Sequence, residues 1–258
     1  MSRTRNRINS PNPSVFRMLL MASALMIILT PSQSLSAQRD TLEPGIYVTE
    51  GGWGDLAVKR GKDGTVSFTI FALGGNAHMC DLGGEIRNGR ATLTESGEAG
   101  SPCVIRFEPK GAAIKVSAET YESCRYYCGM RANFEGDYLK PAPACLPKAI
   151  RKSRRDFKRL YDRKAYAEAV AVLEPLLKGC SKTMTWVDKG WIRNDLALAY
   201  HRMTRDDICL SLLKDFEADA AKTDEQIREE YPPADADTYW PILNAARTNL
   251  KLCRDGKP

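Results

Sequence analysis

The chain has 258 residues, of which 43% are hydrophobic and 27% charged, with a formal net charge of +6 at pH 7. Four of its 38 basic residues and none of its 32 acidic ones fall in the first 37 positions, so the remaining 221 or so residues carry a net charge near +2. A balance that even removes any global electrostatic argument for nucleic acid or an anionic membrane as partner, and the length is comfortable for two domains.

Residues 1–37 read as a signal peptide. Arg3, Arg5, Arg7 and Arg17 precede the apolar run "MLLMASALMIILT" (18–30), and "PSQSLSA" supplies a small-residue cleavage zone ending at Ala37. The run has 13 residues, whereas a stable bilayer-spanning helix needs about 20. Cleavage after Ala37 is therefore expected, giving a periplasmic or secreted protein without a stable membrane anchor. All eight cysteines lie beyond that point. An even count in an exported chain predicts disulfides in place of metal or redox chemistry, and no metal or other cofactor is expected. Zinc needs four N or S ligands, and the segment holding Cys124 and Cys128 contains no histidine.

Residues 38–140 read as a disulfide-stapled antiparallel β-domain, a sandwich or small barrel. Val66, Phe68 and Ile70 alternate with Thr65, Ser67 and Thr69. Asn88-Gly89 between two short strands is a two-residue hairpin signal, because both central residues of a type I′ turn need positive φ. Cys103, Ile105 and Phe107 share a face, as do Ile114 and Val116, and turn signals recur roughly every ten residues. Cys80 shares parity with Leu82, so Cys80 and Cys103 both face the core and are expected to pair. Cys124 and Cys128 are expected to close a tight loop.

Residues 141–148, "PAPACLPK", form a proline-rich boundary that disfavours helix. The apolar period then changes from two to 3.6 over 149–258. Ile150, Phe157 and Leu160 mark one helix, Ala169, Val170 and Leu173 a second, Ile192, Leu196 and Tyr200 a third, Cys209, Leu212 and Phe216 a fourth. A fifth is expected to begin after Asp237, with Asp237 as cap and Pro241 in the first turn. If successive helices alternate in direction, Cys145 meets Cys180 at one end and Cys209 meets Cys253 at the other, within the ~7 Å of Cα separation a bridge tolerates.

"LYDRKAYAEAVAVLEPLL" (160–177) and "NDLALAYHRMTRDDICLSLL" (194–213) resemble helical hairpins of the tetratricopeptide-repeat family. Tyr166, Ala169 and Leu173 in the first, and Leu196, Ala197, Tyr200 and Cys209 in the second, stand where that family locks helix on helix. The equivalent positions 169 and 209 are 40 apart against the family's usual period of about 34, and Lys164 stands where a small residue is expected. The resemblance implies an antiparallel α-hairpin bundle, hence an α+β protein in two segregated domains. It also implies a groove that accepts a peptide, which makes an envelope scaffold or adaptor the alternative function.

Charge is segregated within this half. Residues 148–164 hold nine bases against two acids, and 215–237 hold nine acids against two bases. These are read as two solvated helix faces, facing each other, or as a binding surface centred on Arg151, Arg154, Arg155 and Lys158. His78 and His201 are the sole histidines. No nucleophile elbow or zinc-binding helix accompanies them, so no catalytic residues are assigned. An envelope hydrolase using either imidazole is the less favoured reading, and His201 is expected to serve the carbonyls ending its helix. The β-half, with its core cystine, its close Cys124/Cys128 pair before Gly129 and its terminal "GDY", is similar to the small periplasmic domains grouped with bacterial lysozyme inhibitors. That resemblance implies an inhibitory loop, matched here by Ser96 and Gly97, although Glu98 stands where a base would suit an acidic cleft. The expectation is a non-catalytic protein-binding protein of the cell envelope. Its partner is an envelope protein or cell-wall enzyme, with inhibition of lysozyme or another wall hydrolase as the specific job implied.

Overall fold

The computed structural model describes residues 42–94 and 100–256. The expected signal segment and its cleavage site lie outside the described residues. Eight strands form one antiparallel sheet: β1 (Gly45–Thr49), β2 (Gly54–Arg60), β3 (Val66–Leu73), β4 (Met79–Ile86), β5 (Arg90–Leu93), β6 (Cys103–Lys110), β7 (Ala113–Ala118) and β8 (Gly136–Leu139). They follow one another as a meander, β8 pairs with β1, and β4 and β5 meet at the hairpin where Arg87 and Arg90 exchange backbone hydrogen bonds. The result is a nearly closed barrel, which leaves no long sheet edge for stray pairing. Asn88 and Gly89 at that hairpin have φ of +53° and +72°, as a type I′ turn requires.

Period-two patterning sends one side chain in two inward. Leu56, Val58, Phe68, Ile70, Leu82, Ile105, Phe107, Ile114 and Val116 are all buried inside, with Phe68 against Phe107 at 4.8 Å between ring centroids. Tyr138 on β8 crosses the same core and donates its hydroxyl to the Phe134 carbonyl at 2.8 Å. Burial pushes that phenol well above its ordinary pKa, so it stays a donor.

Two expected disulfides are corrected. Cys80 and Cys103 both point inward and are fully buried, but they are not bonded to each other. Cys80 joins Cys128 and Cys103 joins Cys124. Cys80 is the second residue of β4 and Cys103 the first of β6, with β5 between. Two strand spacings are close to 10 Å, beyond the Cα limit for a bridge. The segment comprising α1 (Tyr121–Cys124) and the 3₁₀ turn Arg125–Tyr127 spans this gap, and its two cysteines, four apart, reach one strand each. Cα separations are 4.0 Å for 80–128 and 4.6 Å for 103–124. The barrel end is thus closed by a twice-stapled plug.

Beyond β8 come α2 (Pro147–Asp162), α3 (Tyr166–Gly179), α4 (Trp186–Arg202), α5 (Asp206–Leu213), α6 (Glu217–Ala220), α7 (Asp224–Glu230) and α8 (Pro233–Asp255). The α2–α3 and α4–α5 hairpins close identically. Lys164 and Thr204 are left-handed, at φ +63° and +59°. Ala165 N–H reaches Leu160 O and Arg205 N–H reaches Tyr200 O, while Lys164 and Thr204 reach Tyr161 and His201. This is the Schellman pattern at both sites, repeated at the 40-residue offset. A bridge joins Cys145 to Cys180 and another joins Cys209 to Cys253. Four disulfides place the chain in an oxidising, non-cytoplasmic compartment. No helix of the described residues is long and apolar enough to cross a membrane.

The last helix begins at Pro233, not after Asp237, so Pro241 sits in its third turn. It is seated on α4 by two buried asparagines: Asn194 donates to Gly190 O and Ile242 O at 3.0 and 3.2 Å, and Asn249 donates to Asn194 Oδ1 at 3.0 Å. Gly190 is required there, since a Cβ would stand 2.8 Å from Ile242. The basic and acidic segments do not face each other. α2 packs on α3 and α4 while α7 packs on α8, so the helical array is basic at one end and acidic at the other.

Barrel and helices share an interface. Gly51 N–H donates to Lys182 O at 2.6 Å, and Gly52, at φ +66°, lies so close to the backbone of 183–185 that a Cβ would meet Thr183 O at 2.7 Å. On the other side, Asn76 (φ +57°) accepts from Ala234 N–H through Oδ1 at 3.0 Å, and its own N–H donates to Asp235 Oδ2 at 3.1 Å. The residue preceding α8 is Pro232, which offers neither a side-chain acceptor nor an N–H. Asn76 takes over that role from the β3–β4 turn, forming a capping box across the two parts of the fold.

Candidate functional site

The two contacts just described hold open a cleft of about 870 Å³ between the barrel and the helices. Its barrel side is made by the β1–β2 turn, with Gly51, Gly52 and Trp53, and the β3–β4 turn, with Leu73, Gly74 and Gly75. Its helical side is the first two turns of α4, the segment 215–219 and the start of α8. Gly51, Gly52, Gly74 and Gly75 thus bring two turns of the barrel into one wall.

Tyr239 is the hub of the helical wall. Its ring lies 5.0 Å from Tyr231, 6.0 Å and nearly perpendicular to Trp186, and 6.5 Å and nearly parallel to Phe216. Such offset and edge-on arrangements suit ring quadrupoles. Tyr231 and Tyr239 both donate to Asp219 Oδ2, at 2.8 and 2.9 Å, while Lys222 donates to Asp219 Oδ1 at 2.7 Å. Burial works against ionisation of Asp219, but those three hydrogen bonds prevail and hold its carboxyl below the usual range. Burial, reinforced by Asp219, pushes the Tyr239 phenol well above its ordinary pKa. Both hydroxyls are thereby committed to Asp219, and Tyr231, Tyr239 and Asp219 all line the cleft. Asp188 is held by the Thr185 hydroxyl at 3.1 Å and Asp235 by the Asn76 N–H, whereas Asp215 pairs with Arg193.

The residues expected from sequence fall elsewhere. Ser96 and Gly97 lie outside the described residues. Arg151, Arg155 and Lys158 are exposed on α2, and Arg155 and Lys158 border a shallow depression of about 350 Å³ with Arg159 and Arg163. Arg154 does not belong with them. Its Nε donates to Asp195 on α4 at 3.0 Å and its guanidinium lies 5.3 Å over the Trp191 ring, so it serves helix packing. Burial raises the Asp195 carboxyl, with Arg154 opposing.

Neither histidine lines the cleft. His78 packs against Gly129, where a Cβ would stand 2.7 Å from Nδ1. His201 is buried in the last turn of α4, and its Nδ1 meets Asp206 at 2.7 Å. His201, Asp206 and Cys253 are the one group of three metal-type donors gathered among the described residues. Cys253 is bonded to Cys209, which leaves two ligands, too few for a structural zinc site. No family model matches the chain, and no curated protein or solved structure is detectably similar to it.

Proposed function

We propose that this is an exported, non-catalytic binding protein of the periplasm or extracellular space, and that its partner is a protein whose segment enters the cleft between barrel and helices. The observation that carries this reading is the cleft itself. It has the volume of a ligand site, a largely apolar and aromatic lining and a few fixed polar groups. Its walls are braced by the Asn76 capping box, the Gly51 hydrogen bond and four disulfides, so little ordering is needed on binding. Neither imidazole lines the cleft, and its four carboxylates, Asp188, Asp215, Asp219 and Asp235, are each held by a hydrogen bond or an ion pair.

The test is differential capture from envelope extracts with the mature chain and with Thr238→Trp, which fills the cleft from an exposed position on α8. A partner retained by the parent and lost by the variant supports the proposal. Identical partners at identical affinity would overturn it. Any captured wall enzyme is then assayed for inhibition by both proteins, which examines the hydrolase-inhibitor role directly.

A further inference from the structure

Resting on that reading of the cleft, we propose that the entering segment is a peptide stretch carrying a lysine or arginine, whose aliphatic stem lies on the aromatic wall and whose cationic head reaches the carboxylates at the rim. Three independent features of the cleft converge on this chemistry.

The first is the presentation of the rings. Tyr231 and Tyr239 both donate their hydroxyls to one carboxylate. Donation to an anion enriches a phenol ring in electron density, and an electron-rich face is what attracts a cation. Trp186, the strongest cation-attracting ring type, completes the wall and is 49% exposed. Trp53, 36% exposed, stands on the barrel side of the same space. An ammonium or guanidinium on a long apolar stem satisfies rings and water together.

The second is charge. The cleft wall belongs to the acidic end of the helical array, where residues 215–237 carry nine acids against two bases. Within the lining, Arg193 answers Asp215, and Lys222 just behind answers Asp219. Asp188 and Asp235 are held by a hydroxyl and an N–H and have no cationic partner among the described residues, against one lining base, Lys189, that makes no ion pair among them. The field in the cleft therefore favours a positive visitor and opposes a carboxylate.

The third is size and continuity, which select a peptide over a free amine. A lone small amine would leave most of about 870 Å³ to water. The barrel wall continues outward through Leu73, 48% exposed, to Met79, its cross-strand neighbour, 49% exposed. This apolar track gives residues flanking the cationic one a surface to cover.

The experiment uses the full mature chain and titrates acetyl-Ala-Leu-X-Leu-Ala-amide peptides with X as lysine, arginine, norleucine or glutamate, read by tryptophan fluorescence at low salt. The lysine and arginine peptides are expected to bind at least tenfold more tightly than norleucine, which matches the stem without the charge, and glutamate more weakly still. Trp186→Leu should reduce the lysine-over-norleucine ratio to below about threefold, and Trp186→Phe should keep most of it; because Trp186 is half exposed, both variants are expected to fold, which circular dichroism checks. Equal binding of norleucine and lysine would overturn the cationic assignment. Displacement of the lysine peptide by n-butylamine at equal concentration would overturn the peptide source. If no peptide binds while Thr238→Trp still abolishes capture, this inference fails and the binding cleft stands; if capture is also indifferent to Thr238→Trp, both fail.

Discussion

The Asn76 capping box makes a quantitative prediction, because one side chain from the barrel performs a task normally done by a helix's own first residues. Replacing Asn76 with alanine removes the acceptor for the Ala234 N–H, and loss of an N-cap costs about 1 kcal/mol. It also places a Cβ-bearing residue with no local polar compensation at φ +57°, where left-handed backbone adds about another 1 kcal/mol. Asn76→Gly removes the cap but relieves the backbone, so the loss should be about 1 kcal/mol. Asn76→Asp keeps an acceptor at a helix N-terminus but faces the Asp235 carboxylate, and should change stability by less than about 0.5 kcal/mol. For a chain of this size about 2 kcal/mol corresponds to roughly 4–8 °C in Tm. Urea unfolding followed by far-ultraviolet circular dichroism, with disulfides intact, should rank the variants Asp, Gly, Ala in order of increasing loss. If alanine and aspartate were indistinguishable from the parent, the β3–β4 turn would not be clasped to α8, and the bracing of the cleft would have to be abandoned.

Other consequences are more briefly stated. Non-reducing peptide mapping should recover Cys80–Cys128 and Cys103–Cys124, and removing either bridge by paired serine substitution should cost about 2–4 kcal/mol; a Cys124–Cys128 peptide would refute the stapled plug. Arg154→Ala should cost about 1–3 kcal/mol because it strands the Asp195 carboxylate, while Arg155→Ala, on the exposed face, should stay within about 0.5 kcal/mol in the same denaturation assay. Asp219 has a depressed pKa in the folded chain, so the stability it contributes is complete above about pH 4, the ordinary aspartate value, and is lost as pH falls through its folded value. Acid titration of the tryptophan fluorescence should therefore show a low-pH transition that Asp219→Asn removes.

The two periodicities were readable because each buries one face. Alternation at 66–70 and at 103–107 sent Phe68, Ile70, Ile105 and Phe107 into the barrel, and the 3.6 spacing placed Leu173, Ile192 and Leu196 in the helical core. Asn88-Gly89 gave its hairpin because positive φ at two successive residues is a local demand. Disulfide partners in the β-half are a different kind of information. Parity says that Cys80 and Cys103 face inward, which they do, but not that β5 lies between their strands, since closure of a barrel depends on the order of all eight. In the helical half, where alternation of direction alone brings ends together, Cys145 with Cys180 and Cys209 with Cys253 could be reasoned from spacing.

The cleft was not legible for the same reason, and its parts show why. Its walls come from turns and helix ends separated by more than 150 residues: Asn76 bonds to Ala234 and Asp235. Their signals were present as fragments. "GGWG" and "LGG" announce turns, but the helix start was expected after Asp237, with Asp237 as its cap, whereas α8 begins at Pro233, and nothing local states that a distant turn will cap it. The proline pair thus has a physical reading after the fact. A helix entered through Pro232-Pro233 lacks its own cap, and an outside acceptor can fill the vacancy only by docking, so the sequence that weakens the start of α8 is also what couples it to the barrel. Tyr239 lies on α8 at most two turns from that cap, so the same junction fixes the barrel wall and the aromatic wall of the cleft relative to one another.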